Sequence, residues 1–148
     1  MRYDFVADQK DNQFYPVYES DIKEVEGTLG LKFPFELSKF LLEVGYGFLQ
    51  GSEYNVNLIM GPSSIRDARL KVNDFEFYTD IELYEDLEAG KLIFFEANES
   101  ALLLIEISEE QNNAIYYDDI KIADSLEEFL KKMVEDDRYY IDLAGYDI

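Results

Sequence analysis

The 148-residue chain contains no histidine, no cysteine and no tryptophan, and its 13 basic side chains are outnumbered by 33 acidic ones. Without histidine and cysteine it cannot build a Ser-His-Asp or Cys-His nucleophile pair, thiolate chemistry or a zinc site of the usual ligand set. It also cannot form a disulfide, so the fold must depend on its core. The formal net charge of −20 repels phosphate backbones and anionic lipid headgroups. We therefore expect no direct nucleic-acid or membrane partner, and a basic protein is favoured instead.

The acidic composition is not that of a disordered chain, because 47% of the residues are hydrophobic and 16% are aromatic. No apolar run approaches the ~18 residues of a membrane span. The first residues carry neither a basic region followed by an apolar stretch nor a small-residue cleavage site. With no repeat, low-complexity tract or linker, the sequence predicts one cytoplasmic domain over residues 1–148, with a core of about 20–134.

The negative charge is concentrated in the second half of the chain. Residues 1–74 have a net charge of −4, whereas residues 75–148 hold 21 acidic and 5 basic side chains and have a net charge of −16. Acidic side chains next to tyrosine suit a Lys/Arg-rich protein face, because the ring offers area and cation–π contact. Tyrosines close to acidic residues in the sequence include Tyr54, Tyr78, Tyr84, Tyr116 and Tyr117.

Three segments have the apolar spacing of amphipathic helices. They begin at Ser20-Asp21, Pro34 and Ser125, and the first two end at Gly30 and Gly45. The third has the Ser125 to Glu128 spacing of a capping box. A shorter helix from Ser63 or Ser64 to Leu70 is also compatible with the sequence, and the stretch that follows it to Asp86 is ambiguous.

Strand-like apolar runs lie between the second and third helices. They are Asn55–Met60, Lys91–Phe95, Ala101–Ile107 and Ala114–Tyr117. Residues 96–100 are a hairpin loop between two of them. This order predicts an α+β domain with a mostly antiparallel central sheet flanked by helices.

The sequence motifs that could indicate enzyme activity are weak. Gly45-Tyr46-Gly47 follows a helix and lacks the third glycine of a dinucleotide loop, so it is better explained as a helix exit. Asp119-Ile120-Lys121 after Glu106 is a three-residue likeness to metal-dependent nucleases, which the net charge of this half opposes. The acidic clusters have no calcium-loop spacing and are expected to be solvated. We therefore predict no enzyme activity, no cofactor and no metal site, with a carboxylate-based metal-dependent hydrolase as the least favoured alternative.

Charge and aromatic density instead suggest a partner-binding surface. The residues selected on this basis are Glu82, Tyr84, Glu85, Asp86, Glu88, Tyr117, Asp118 and Asp119. The acids would supply the charge, and Tyr84 and Tyr117 would anchor the contact.

A family likeness spans about residues 20–134. One run of residues resembles the amino-terminal motif of the SUKH superfamily, the Smi/Knr-type domain. It is Ile22-x-x-Val25-Glu26-x-x-Leu29-Gly30-x-x-Phe33-Pro34-x-x-Leu37-x-x-Phe40-Leu41-x-x-x-Gly45-x-Gly47. Gly90–Glu96 followed by Leu102–Ile107 is similar to its central hairpin, and Ala123–Leu130 to its closing helix.

The resemblance implies a non-catalytic α+β binding protein. Many bacterial members of the family are immunity proteins that neutralise polymorphic or contact-dependent toxins, which are often nucleases. Others are regulatory scaffolds, and a scaffold or adaptor that binds a host protein or peptide is the alternative function. On the first hypothesis the partner is a cognate, basic nuclease toxin blocked by occlusion through an acidic surface. Residues 135–148, outside the resemblance, form an acidic and aromatic tail that we expect to order on a partner.

Overall fold

The strands and helices of the domain were located in a computed structural model, which describes residues 2–9, 11–49, 57–78, 81–97 and 101–144. The strands in this part of the chain are β1 (Gln13–Tyr15), β2 (Tyr46–Leu49), β3 (Asn57–Ile59), β4 (Lys91–Ala97), β5 (Ala101–Glu106), β6 (Ile115–Tyr117) and β7 (Ile120–Ala123). The α-helices are α1 (Asp4–Ala7), α2 (Glu19–Leu29), α3 (Phe35–Glu43), α4 (Pro62–Leu70), α5 (Tyr84–Leu87), α6 (Leu126–Glu135) and α7 (Tyr139–Ala144). Two short 3₁₀ helices are Asn73–Phe75 and Ile81–Leu83.

The strands form one antiparallel sheet in chain order from β1 to β7. Residues that pair directly across antiparallel strands share a face, and successive residues alternate between faces. One row of paired residues is Phe14, Gly47, Ile59, Phe95, Leu103 and Tyr117. The opposite row is Gln13, Phe48, Leu58, Glu96 and Leu102. We call the first side the closed face and the second the half-open face.

Helices cover the closed face from end to end. The ring of Phe129 in α6 meets Phe95 edge-on, with centroids 5.2 Å apart. Tyr140 in α7 meets Tyr117 in the same way at 5.0 Å. At the other end Phe40 in α3 packs edge-on against Phe14 at 6.0 Å. This side is the main aromatic core. Each edge-to-face pair stabilises the fold by about 0.5–1.5 kcal/mol beyond the stabilisation that comes from the apolar area buried by its rings.

The half-open face is covered only in part. Helix α4 packs against β4 and α2, and the 3₁₀ helices and α5 follow it before the chain enters β4. Over β1 and β2 the side chains of Tyr15, Tyr46 and Phe48 remain 48%, 37% and 42% exposed. One side of the sheet thus ends in an uncovered aromatic strip. None of the helices in the described ranges combines the length and the hydropathy needed to cross a membrane.

A buried carboxylate joins four distant parts of the chain. Glu36 in α3 is fully buried, and its two oxygens accept from the backbone N–H groups of Asn113, Leu126 and Glu127 at 2.6, 2.9 and 3.3 Å. The Arg2 guanidinium donates to it at 3.1 Å. Because Leu126 and Glu127 are the first residues of α6, the carboxylate also lies at the positive end of that helix dipole.

Two glycines allow β1 to pair with β2. Gly45 and Gly47 have φ of +113° and +150°, which L side chains rarely adopt. A Cβ at Gly45 would overlap the carbonyl of Tyr15, and one at Gly47 would overlap the carbonyl of Gln13. The two glycines of the Gly45-Tyr46-Gly47 run therefore allow β2 to lie close to β1.

The α+β class with an antiparallel sheet flanked by helices is confirmed, and several boundaries differ from the expected ones. Helix α2 begins at Glu19, before the expected cap, because Asp21 accepts from the Tyr18 N–H at 3.0 Å. The Ser125 hydroxyl caps α6 by accepting from the Glu128 N–H, but the Glu128 carboxylate bonds to the N–H of Asp124.

Strand predictions were incomplete. Strands β1, β2 and β7 were not anticipated, and β2 begins in the Gly45-Tyr46-Gly47 run that was explained as a helix exit. Strand β4 extends to Ala97, into the expected loop, whose residues 98–100 lie outside the described ranges, as do residues 55 and 56 of the expected Asn55–Met60 strand. The expected carboxy-terminal tail contains α7, which contacts β7 and buries Tyr140.

Replacing Glu36 by Gln should destabilise the domain. The amide puts a donor where backbone N–H groups need an acceptor, and it removes the negative charge beside Arg2. We expect the free energy of unfolding to fall by about 3 kcal/mol or more, measured by urea denaturation. Glu135→Gln, an exposed change at the end of α6, is the control and should stay within about 0.5 kcal/mol. An unchanged urea midpoint for Glu36→Gln would contradict the proposed contribution of this carboxylate to the stability of the domain.

Alanine substitutions should have opposite effects at two glycines. Gly47→Ala forces β1 away from β2 and should lower the unfolding free energy. Gly27→Ala lies in the middle of α2 with no atom within 4 Å of its Cβ, and should raise it by up to ~1 kcal/mol. Thermal unfolding followed by circular dichroism measures both. A Gly47→Ala variant as stable as the parent chain would refute the close-approach explanation.

Candidate functional site

The acidic residues predicted to bind a partner lie in two places. Glu82, Glu85 and Asp86 are exposed on the second 3₁₀ helix and on α5. Asp118 and Asp119 form the two-residue turn between β6 and β7, where Asp118 takes φ of +54°, which aspartate tolerates in turns. Asp119 is exposed and Asp118 is half-buried.

The two tyrosines predicted as anchors are on opposite sides of the sheet. The Tyr84 side chain is buried, and its hydroxyl accepts from the Leu102 N–H at 3.3 Å. It lies near Tyr78, which approaches Glu96 on the half-open face. Tyr117 packs on Tyr140 on the closed face, where burial raises the pKa of its hydroxyl. Both side chains have a role in packing.

Glu88 is also engaged inside the chain. It is buried, and its carboxylate accepts from the Lys71 ammonium at 2.5 Å. Arg69 donates to the backbone carbonyls of Glu88 and Lys91 at 3.2 and 2.8 Å. Burial raises the pKa of Glu88, and Lys71 opposes that effect. Glu88 therefore ties α4 to the start of β4 and does not present its charge to the surface.

A groove lies on the half-open face of the sheet. It consists of two cavities of about 330 and 240 Å³ that share Ser64. The larger is lined by Pro16, Val17, Asp21, Glu24, Val25, Tyr46, Gly61, Pro62, Ser63, Ser64 and Arg66. The smaller is lined by Leu58, Met60, Ser64, Asp74, Phe75, Tyr78 and Glu96. We call the two together the sheet-face groove.

The sheet-face groove continues the exposed aromatic strip. Tyr46 lines the larger cavity and its ring lies 5.4 Å from that of Tyr15. Gly61 leaves room for this ring, because a Cβ there would come within 3.0 Å of it. Phe77, 90% exposed, follows the wall of the smaller cavity along the chain. Contiguous exposed aromatic side chains are typical of interaction surfaces.

Carboxylates dominate the charge of the groove. Asp21, Glu24, Asp74 and Glu96 line it, against the single basic side chain of Arg66. Arg66 pairs with its neighbour Asp67 at 3.0 Å, which offsets its charge. The groove therefore favours a cationic partner.

Glu96 is a half-buried carboxylate without an ion pair among the described residues. Burial raises its pKa, and the nearby Tyr78 hydroxyl partly offsets this. The hydroxyl of Tyr78 is shielded from solvent and approaches the carboxylate without reaching hydrogen-bond geometry. Burial and the Glu96 charge raise the pKa of Tyr78. This corner of the groove lacks a positive charge.

Sequence reasoning missed the groove residues. Tyr15, Tyr46, Phe48 and Glu96 fall outside the selected cluster because their own segments are not rich in acids. Exposed and buried positions alternate over residues 46–49, but the sequence there does not alternate between polar and apolar residues, so no sequence signal marked these side chains. Of the tyrosines noted beside acids, Tyr54 lies outside the described residues. No group of three or more acidic side chains within the described ranges could hold a metal ion.

Replacing Glu96 by Gln should stabilise the free protein at neutral pH. The folded pKa lies above the ordinary value of 4.5, so the charged carboxylate is penalised above the folded pKa and the penalty vanishes below 4.5. We expect a gain of about 0.5 kcal/mol at pH 7 that disappears toward pH 4, measured by Tm against the parent chain. Exposed Glu82→Gln is the control. A variant that is less stable at pH 7 would contradict this assignment.

Comparison with known proteins agrees with the sequence pattern. The SUKH family model described as SMI1-KNR4 cell-wall matches residues 19–130. The immunity protein YxxD of Bacillus subtilis (strain 168) is 58% identical over 143 residues, which cover 97% of each chain. No solved structure gives a significant match. The predicted resemblance is confirmed, and the chain belongs to the SUKH family and is homologous over nearly its whole length to a bacterial immunity protein.

Proposed function

We propose that this protein is an immunity protein that binds and neutralises a cognate toxin without catalysis. The observation that carries the proposal is 58% identity to the immunity protein YxxD over 97% of both chains. At this identity the fold and the main contact surfaces are expected to be shared. The protein acts in the cytoplasm, where a toxin would reach its target.

The cognate toxin is a basic nuclease domain. A nuclease must present lysine and arginine to hold phosphates. A chain with a net charge of −20 is complementary to such a face. Electrostatic steering raises association rates to about 10⁸–10⁹ M⁻¹s⁻¹ at low salt, which favours capture of the toxin before it acts.

The contact surface is the sheet-face groove together with the exposed acids Glu82, Glu85 and Asp86. These acids follow the groove wall directly along the chain, and the Ile81 N–H donates to the Tyr78 carbonyl at 3.1 Å. Aromatic side chains of the groove supply apolar area, and the acids supply steering and register. The turn Asp118-Asp119 is a separate, smaller contact. Neutralisation is by occlusion of the phosphate-binding face.

Charge reversal should separate local contact from net charge. The variant Glu82→Lys, Glu85→Lys, Asp86→Lys places three positive charges at the proposed contact, where they repel a basic toxin. We expect toxin affinity to fall by about 100-fold or more, with slower association and a weaker salt dependence. The measurement is binding kinetics at several salt concentrations with an inactivated form of the toxin encoded beside the gene.

The control variant makes the same change in net charge elsewhere. Glu109→Lys, Glu110→Lys and Glu135→Lys alter exposed acids of the β5–β6 connection and the end of α6. Its affinity should change by less than about tenfold. Equal losses in both variants would overturn the proposed surface. Failure of the parent chain to rescue growth on co-expression with the neighbouring gene would overturn immunity itself and favour the regulatory scaffold.

A further inference from the structure

The smaller cavity of the sheet-face groove has the size of a side chain. Its volume is about 240 Å³, which is below the 300–1,000 Å³ typical of small-molecule pockets. It is large enough to hold a single long side chain from a protein partner.

The walls of the cavity are apolar and aromatic. Leu58 and Met60 from the end of β3 form one side. The rings of Phe75 and Tyr78 form another, with centroids 5.6 Å apart and planes tilted by 33°. Such rings accept the flat face of a guanidinium group and the methylene stem of a long side chain.

The charged groups among the described residues that line the cavity are all negative. Asp74 and Glu96 contribute carboxylates, and the described residues that line the cavity include no Lys or Arg. The shielded Tyr78 hydroxyl lies next to the Glu96 carboxylate. Glu88 can be compared with Glu96, because the Glu88 carboxylate is also removed from solvent but is paired with the Lys71 ammonium.

We infer that this cavity receives one arginine side chain of the partner protein, with its guanidinium between Glu96 and Asp74 and against the rings of Phe75 and Tyr78. The inference rests on the proposed function in one respect, that the partner is a basic protein. Arginine is selected over lysine because a planar, weakly hydrated fork can stack on a ring and bond to two carboxylates together.

The first test needs no toxin. Nα-acetyl-arginine amide is titrated into the full-length protein, and the amide signals of Tyr78 and Glu96 and the methyl signal of Met60 are followed by NMR. We expect saturable shifts with a Kd of about 1–50 mM. Nα-acetyl-citrulline amide, which has the same shape without the charge, should cause no saturable shift, and Nα-acetyl-lysine amide should bind more weakly.

Two variants locate the binding. Glu96→Gln should weaken arginine binding by about tenfold or more, and because it removes a penalised charge it should not impair folding. Asp74→Asn should weaken binding to a smaller extent. Glu82→Gln, an exposed acid outside the cavity, is the matched control and should bind as the parent chain does. Absence of saturable shifts, equal binding of citrulline or lysine, or binding unaffected by Glu96→Gln would overturn the inference.

The second test uses the neighbouring toxin and separates the two proposals. Glu96→Gln should lower toxin affinity at pH 7 while its own Tm is equal or higher, a combination that a merely structural role would not produce. If the arginine titration succeeds but toxin affinity is unchanged in Glu96→Gln, arginine capture from the toxin is refuted. If the parent chain does not bind the toxin at all while Glu96-dependent arginine binding persists, the cavity stands and the immunity function falls.

Discussion

The buried carboxylate of Glu36 is the interaction on which the arrangement of the domain depends. It lies in α3, but its partners are the amino-terminal Arg2, the β5–β6 connection at Asn113 and the first turn of α6. Asn113 completes an exchange, since its side-chain oxygen accepts from the Glu36 N–H at 2.9 Å. A charged acceptor with four donors replaces its lost hydration and satisfies helix and loop N–H groups that would otherwise be buried alone.

This network explains why the two sides of the sheet can differ. With α3, α6 and the amino terminus held together, the closed face is packed across its width, and the aromatic pairs there need no further cover. The crossover from β3 to β4 then has only the half-open face available. It packs against β4 and borders the Tyr46 ring at Gly61, but it leaves Tyr15, Tyr46 and Phe48 partly exposed. The exposed aromatic strip is a consequence of how far this connection extends.

Local features could be predicted because their causes lie within a few residues. Gly30 adopts φ of +68° at the end of α2, and Ser125 caps α6, as their sequence contexts indicate. The Glu36 network could not be predicted, since its partners are 34 to 91 residues away. Glu82 and Glu88 look alike in sequence, yet one is exposed and the other is buried against Lys71. Only the packing of α4 on β4 makes that difference.

The contrast between buried Glu88 and half-buried Glu96 connects stability with the proposed function. Burial raises the pKa of both Glu88 and Glu96, so both carry a desolvation cost when charged. Lys71 offsets that cost for Glu88 within the chain, and Glu88 in turn fastens α4. The described residues supply no such cation to Glu96, and its charge weakens the free protein. A cationic side chain from a partner would offset the desolvation cost of Glu96 only on binding. The charged Glu96 would then lower the stability of the free protein but increase the stability of the complex.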